Sequence, residues 1–189
     1  GVRGGLDEGL QPRQEVGLVV QGGIFNALQR ALQILGLSDA LGDSALPILV
    51  LNVTYPLVPR EVRDFCAGRR AVLVVEEGSP EYIEKDLLQA LRQGDLQVPV
   101  HGKDLLPPAG EYTVEVLVQG LLAFVRRHLP DTDTTAALAW LDGNAQRRSD
   151  VAAALGATTV SAAPDDLWAA ILDHIDDGPA EAPGSPALP

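Results

Sequence analysis

Residues 15–36, EVGLVVQGGIFNALQRALQILG, decide how this chain is read. Gly17-Leu18-Val19-Val20 is a short apolar run without polar alternation, the pattern of a strand covered on both faces. Gln21-Gly22-Gly23 breaks the run, because two glycines reach backbone angles that side chains forbid. From Ile24 the period changes. Ile24, Ala27, Leu28, Ala31, Leu32 and Leu35 recur at spacings of three and four, which makes one apolar helical stripe. Gly36 stands where helices commonly end. Strand, glycine turn and amphipathic helix in that order form the opening βα unit of an α/β domain.

A glycine turn leading into a helix raises the question of an anion site, since N-terminal amides attract negative charge. The dinucleotide fingerprint needs three glycines at set spacing, and a P-loop needs Lys followed by Ser or Thr after its last glycine. Gly22-Gly23-Ile24-Phe25 supplies neither. The plain reading is a tight turn that lets the helix pack on the strand.

The same unit continues along the chain. Leu46 to Val53 is a second strand, nearly continuous in apolar character and therefore expected at the centre of the sheet. Pro56 and Pro59 stop it, and Pro59 opens a helix to Ala67 with Val62, Phe65 and Cys66 on its inner side. Ala71 to Val75 is a third strand, ending in Glu76-Glu77-Gly78. The helix that Pro80 begins carries the stripe Ile83, Leu87, Leu88 and Leu91, with Glu81 and Glu84 near the positive end of its dipole. Leu96 to Val100 is a short fourth strand in which Pro99 marks an edge or a terminus. Thr113 is placed to cap a helix running from Val114 to His128.

This alternation predicts an α/β fold: an open, mostly parallel sheet with helices on both faces. Beyond Pro130 the pattern is helical over 134–141, 145–155 and 164–175, with Thr158 to Val160 a candidate extra strand. The expected organisation is a flexible lead-in at 1–14, the α/β domain at 15–129, a mostly helical extension at 130–177 and a disordered tail or linker at 178–189.

Composition narrows the function. A hydrophobic fraction of 46% over 189 residues provides for a real core. A net charge of −12 with a pI near 4.5 argues against nucleic acid, whose phosphates need a basic stripe, and against an anionic membrane surface. No apolar run approaches the roughly 18 residues of a spanning helix, and the first residues lack a signal-peptide pattern. The single cysteine, Cys66, fits a reducing compartment, so a cytoplasmic location is expected. A start at Gly1 and the absence of methionine read as an excised or processed piece of a longer protein.

In open parallel sheets, ligands sit beyond the C-terminal strand ends. Those ends carry Gln21-Gly22-Gly23, Thr54-Tyr55, Glu76-Glu77 and His101-Gly102-Lys103. The candidate binding residues are therefore Gly22, Gly23, Thr54, Tyr55, Glu76, Glu77 and Lys103. Glu76 and Glu77 are adjacent at a strand end, so they point to opposite faces; one meets the rim while the other caps a helix or meets solvent. Lys103 and Asp104 belong to a solvated loop, with pairing to each other or to an anion as the alternatives. His101, His128 and His174 share no ligand spacing with Cys66, and no metal site is expected. His128 and His174 are read as favouring helix C-termini, and Cys66 as a buried inert thiol. Asp131-Thr132-Asp133 lacks the glycine and glutamate of a calcium loop, and Asp173, Asp176 and Asp177 read as a solvated acidic face. The residues alone give no catalytic constellation.

The order of segments nevertheless resembles a known family. Thr54-Tyr55-Pro56-Leu57, Val74-Val75-Glu76-Glu77, Ile83-Glu84, and Gly102-Lys103-Asp104 with Gly110-Glu111 occur in the order and spacing of one region of the indolepyruvate ferredoxin oxidoreductases. These are thiamine-diphosphate-dependent 2-oxoacid:ferredoxin oxidoreductases, and the similar region is their transketolase C-terminal-like domain. The resemblance covers about residues 15–128. It implies a complex that oxidatively decarboxylates an aryl 2-oxoacid to its acyl-CoA, with thiamine diphosphate, Mg2+ and [4Fe–4S] clusters. Implied partners are the other domains or subunits, ferredoxin, CoA and the 2-oxoacid. None of the cofactors is expected on this chain's own residues: cluster ligation needs several cysteines, and the family's thiamine-diphosphate motif is missing. The resemblance implies a structural and interface domain. Two rivals stand beside it: the equivalent domain of another 2-oxoacid oxidoreductase or transketolase-like enzyme, and a stand-alone α/β module holding a small anion at Gly22-Gly23.

Overall fold

The structure is a computed structural model and describes residues 10–154. Readings that fall at 1–9 and 155–189 lie outside the described residues, including the helix at 164–175, Thr158 to Val160, His174 and the aspartates at 173, 176 and 177. The chain divides into two compact units, Gly1–Leu141 and Asp142–Pro189.

In the first unit four parallel strands form one sheet: β1 (Val16–Gln21), β2 (Ile48–Leu51), β3 (Ala71–Val75) and β4 (Val100–His101), in the order β2-β1-β3-β4. Val16 to Val20 pair in register with Ala71 to Val75, so β1 and β3 are the interior strands. Both are almost wholly buried, as their unbroken apolar runs require. The sequence expectation that the second strand is central is corrected here. β2 lies at an edge, and Ile48, Leu49 and Val50 are only half-buried. The fourth strand is shorter and later than expected, beginning after Pro99, and it occupies the other edge.

The helices are α1 (Phe25–Ile34), α2 (Pro59–Cys66), α3 (Tyr82–Gln93) and α4 (Val114–His128); a 3-10 turn, Gly22–Ile24, leads into α1. Side-chain alternation along the strands feeds two separate cores. Val16, Leu18, Val20, Leu73 and Val75 face Leu28, Leu32, Leu117, Leu121 and Phe124 of α1 and α4. Val19, Val72 and Val74 face Val62 and Cys66 of α2 and Ile83, Leu87 and Leu91 of α3. Leu88, assigned to the α3 stripe from spacing, is 45% exposed, and Ala90 takes the buried place instead. Gly36 at φ +70° ends the first helical segment in the left-handed region that glycine reaches without strain. Thr113 caps α4, its side chain accepting from the Val116 N–H.

Arg13 donates its N–H to the Ala45 carbonyl at 2.8 Å and pairs with Asp131 at 2.8 Å. The end of the lead-in is thereby tied to the domain. The expected helices at 134–141 and 145–155 are one element, α5 (Thr135–Ala154). A single interior glycine costs a helix only about 1 kcal/mol, and α5 continues through Gly143.

Candidate functional site

Strand order fixes where a crevice opens. From the adjacent interior strands β1 and β3, the chain crosses outward to β2 on one side and to β4 on the other. That divergence leaves a gap beyond their C-terminal ends. A cleft of about 590 Å³ lies there. β1 contributes Gln21, the segment after β2 contributes Thr54 and Tyr55, and the β3–α3 connection contributes Glu76 to Pro80. Tyr82 and Ile83 of α3 complete it. Gln21 Oε1 accepts the Glu77 N–H at 3.3 Å, stitching two walls together. Tyr55 is 79% and Tyr82 66% exposed. The peptide bonds preceding Pro56 and Pro80 are both cis.

Four of the seven candidate residues, Thr54, Tyr55, Glu76 and Glu77, therefore share this cleft. Gly22, Gly23 and Lys103 do not line it. Gly22 is needed for a different reason: a Cβ there would stand 2.8 Å from Asn52 Oδ1 and 3.3 Å from the Leu51 carbonyl. The glycine lets β1's exit pass close to β2's exit. Around Gly23 there is open space.

The two glutamates divide as their alternation requires. The buried Glu76 carboxylate accepts the N–H of Ile83 (3.0 and 3.1 Å) and of Glu84 (3.2 Å). These are first-turn amides of α3, which have no intrahelical partner. Glu76 satisfies them and lies at the positive end of the helix dipole. Glu77 is half-buried and faces the cleft.

Lys103 does not pair with Asp104. Its Nζ donates to the Glu76 carbonyl at 2.5 Å and to Tyr112 Oη at 2.8 Å, while Tyr112 donates to the Pro107 carbonyl at 2.7 Å. Its backbone N–H donates to Glu84 Oε2 at 3.1 Å. Burial lowers the Lys103 pKa against the opposing fields of Glu76, Glu84, Glu81 and Glu77. Burial, reinforced by Glu76, Glu77 and Glu84, raises that of Tyr112. The solvated-loop reading is thus replaced by a fixed lysine spanning β3 and the β4–α4 connection.

Asp104 joins a second network. Its Oδ2 lies 2.6 Å from His101 Nδ1, and its Oδ1 accepts the Gly102 N–H at 2.8 Å. His101 Nε2 lies 2.9 Å from His128 Nε2. With both rings neutral, His101 donates from Nδ1 to Asp104 and accepts the His128 proton at Nε2. Phe124 sits edge-on to His101, ring centroids 5.9 Å apart, and 5.0 Å from His128. The reading of His128 as a helix-terminus cation is corrected: its ring is turned to His101. Burial, followed by His101 and the Arg127 and Arg70 cations, lowers its pKa. Burial of Asp104 is outweighed by the His101 and Gly102 hydrogen bonds, and its pKa falls. The His101–Asp104 spacing of three residues is legible in sequence; nothing local marks His128 as the third member.

Cys66 is buried, and burial raises its thiol pKa to about 11 against the pull of Arg69. Such a thiol is a poor nucleophile. Among the described residues no group of three or more His, Cys, Asp and Glu is arranged to hold a metal ion. No helix among them is long and apolar enough to cross a membrane.

The family model described as indolepyruvate ferredoxin oxidoreductase middle domain matches residues 8–103, from the lead-in through β4 to Lys103. The chain belongs to the indolepyruvate ferredoxin oxidoreductase middle-domain family. Its similarity to indolepyruvate oxidoreductase subunit IorA of Methanothermobacter thermautotrophicus is 39% identity over 105 residues, covering 54% of this chain and 16% of that protein. The subunit of the same name from Thermococcus kodakarensis is 31% identical over 116 residues, covering 61% of this chain and 17% of the relative. The middle-domain chain thus spans about a sixth of the length of these relatives.

Proposed function

We propose that this chain is the middle, packing and interface domain of an indolepyruvate-type 2-oxoacid:ferredoxin oxidoreductase. On this reading, the complete enzyme oxidatively decarboxylates an aryl 2-oxoacid to its acyl-CoA and passes electrons to ferredoxin. The observation that carries the proposal is the family match over 8–103. The architecture supports a non-catalytic part within it. The buried Glu76 and His101, with the half-buried Lys103 and His128 and the exposed Asp104, hold one another and the helices.

The residues present do not fit the cofactors of such an enzyme. A diphosphate needs cations or free amides, yet the cleft lining has no Lys or Arg, and the α3 amides are taken by Glu76. A [4Fe–4S] cluster needs several thiolates, and this chain has one cysteine. On this proposal, thiamine diphosphate, Mg2+ and clusters belong to other parts of the enzyme.

The test is anaerobic purification of the native complex containing this chain, with assays for iron, thiamine diphosphate and arylpyruvate-dependent ferredoxin reduction. A large assembly carrying all three is expected. A lone species near the 19.9 kDa of this chain, without iron, thiamine or activity, would overturn the proposal.

A further inference from the structure

The strand-end cleft has a charge character that an anionic substrate does not suit. Its floor is the α3 N-terminus, whose amides are consumed by the Glu76 carboxylate. Its wall carries Glu77, whose side-chain carboxylate has no hydrogen-bond or ion-pair partner among the described residues. The cations whose fields reach this end of the molecule are engaged. Lys103 is held by the Glu76 carbonyl and Tyr112, and Lys85 pairs with Glu81 at 2.9 Å. Two strongly exposed tyrosines, Tyr55 and Tyr82, also line the cleft. Tyrosine faces attract cations through the ring quadrupole, and arginine combines stacking on such faces with two-pronged pairing to a carboxylate.

We propose that this cleft is the docking site for an arginine side chain on an extended segment of a partner, seated against Tyr55 and Tyr82 and paired with Glu77. Charge complementarity selects the occupant: one unpaired carboxylate, no cation in the lining, and two exposed tyrosines. The volume of about 590 Å³ admits the arginine with its flanking residues. If the chain is the oxidoreductase domain proposed above, the segment belongs to another domain or subunit of that enzyme. That identification rests on the earlier reading; the cleft's preference for arginine does not.

The test titrates acetyl-Gly-Leu-Arg-Leu-Gly-amide into the full 189-residue chain, followed by amide chemical shifts and calorimetry. The citrulline counterpart, of the same shape without the charge, and a glutamate counterpart are titrated in parallel. The arginine peptide is expected to bind about five- to tenfold tighter than the citrulline peptide, to weaken with salt, and to shift Gln21, Glu77 and Tyr82 amides. Glu77→Gln and Tyr55→Ala should each weaken it about three- to tenfold. Both alter side chains outside the two cores, and circular dichroism of each variant checks that it is folded. Equal affinity for the arginine and citrulline peptides, preference for the glutamate peptide, or no arginine-peptide binding at millimolar concentration would overturn the proposal. None of these outcomes bears on the composition of the native complex, so the two readings fail separately.

Discussion

The connection that follows β4 is pinned at two places by networks of different kinds. Toward α3, Lys103 ties the Glu76 carbonyl to Tyr112, while the Glu76 side chain holds the first turn of α3. Toward α4, His101 lies between Asp104 and His128. The first set joins a carboxylate, an ammonium and a phenol to backbone groups, whereas the second contains imidazoles, the side chains that ordinarily titrate near neutrality. A ring-to-ring hydrogen bond between imidazoles needs one nitrogen without a proton, so adding a proton to both rings removes it. Two neighbouring anchors of one loop therefore differ in kind: one holds backbone amides and a carbonyl, the other joins two rings.

The largest expected effect is at Glu76. Glu76→Ala leaves two helix amides without a partner and should cost about 3 kcal/mol, measured by urea denaturation. A loss below about 1 kcal/mol would show that the α3 amides do not depend on this carboxylate.

His101→Ala opens a gap beside Phe124 and removes the partner of Asp104 and His128. About 2 kcal/mol should be lost at pH 7.5 in the same assay. Tyr112→Phe removes only the hydroxyl between Lys103 and the Pro107 carbonyl. It should cost about 1 kcal/mol independently of pH.

The smallest effect at neutral pH, and the sharpest discriminator, is His128. Its folded pKa is depressed, so the unfolded chain binds a proton at pH values where the folded one does not. Stability from this group is present above the ordinary histidine value of about 6.5 and is lost as pH falls from there through the folded value. The groups facing or acting on the ring are His101 with Asp104 behind it, Phe124, and the Arg127 and Arg70 cations. His128→Gln should change stability at pH 7.5 by less than about 0.5 kcal/mol and flatten the fall in unfolding midpoint between pH 7 and pH 5.5. An unchanged pH profile in this variant would remove His128 from the titrating network.

The fold and the two anchors differ in how far they are legible in the sequence. The strands β1 and β3 and the helices α1, α2 and α4 follow from periodicity, glycine and proline placement, and the Thr113 cap, all of which are local. Edge and centre are not local: β2 is as apolar as β3, and only the order of pairing shows that its outer neighbour is missing among the described strands. The placement of Thr54, Tyr55 and Glu77 around one cleft follows from strand-end logic alone. By contrast, Lys103 reaches from the end of β4 to the Glu76 carbonyl at the end of neighbouring β3, and His128 of α4 meets His101 of β4 beside Phe124. Such pairings depend on the tertiary path of the chain, which spacing does not encode.

The side-by-side pairing of β1 with β3 also sets a timetable during synthesis. Val16 is made long before its partner Ala71, and the whole of α1, β2 and α2 comes between them. At about 5–20 residues per second, the interval is on the order of several seconds. Through that interval one edge of β1 and the apolar stripe of α1 have no finished sheet to join. Only when Val75 appears can the two interior strands close.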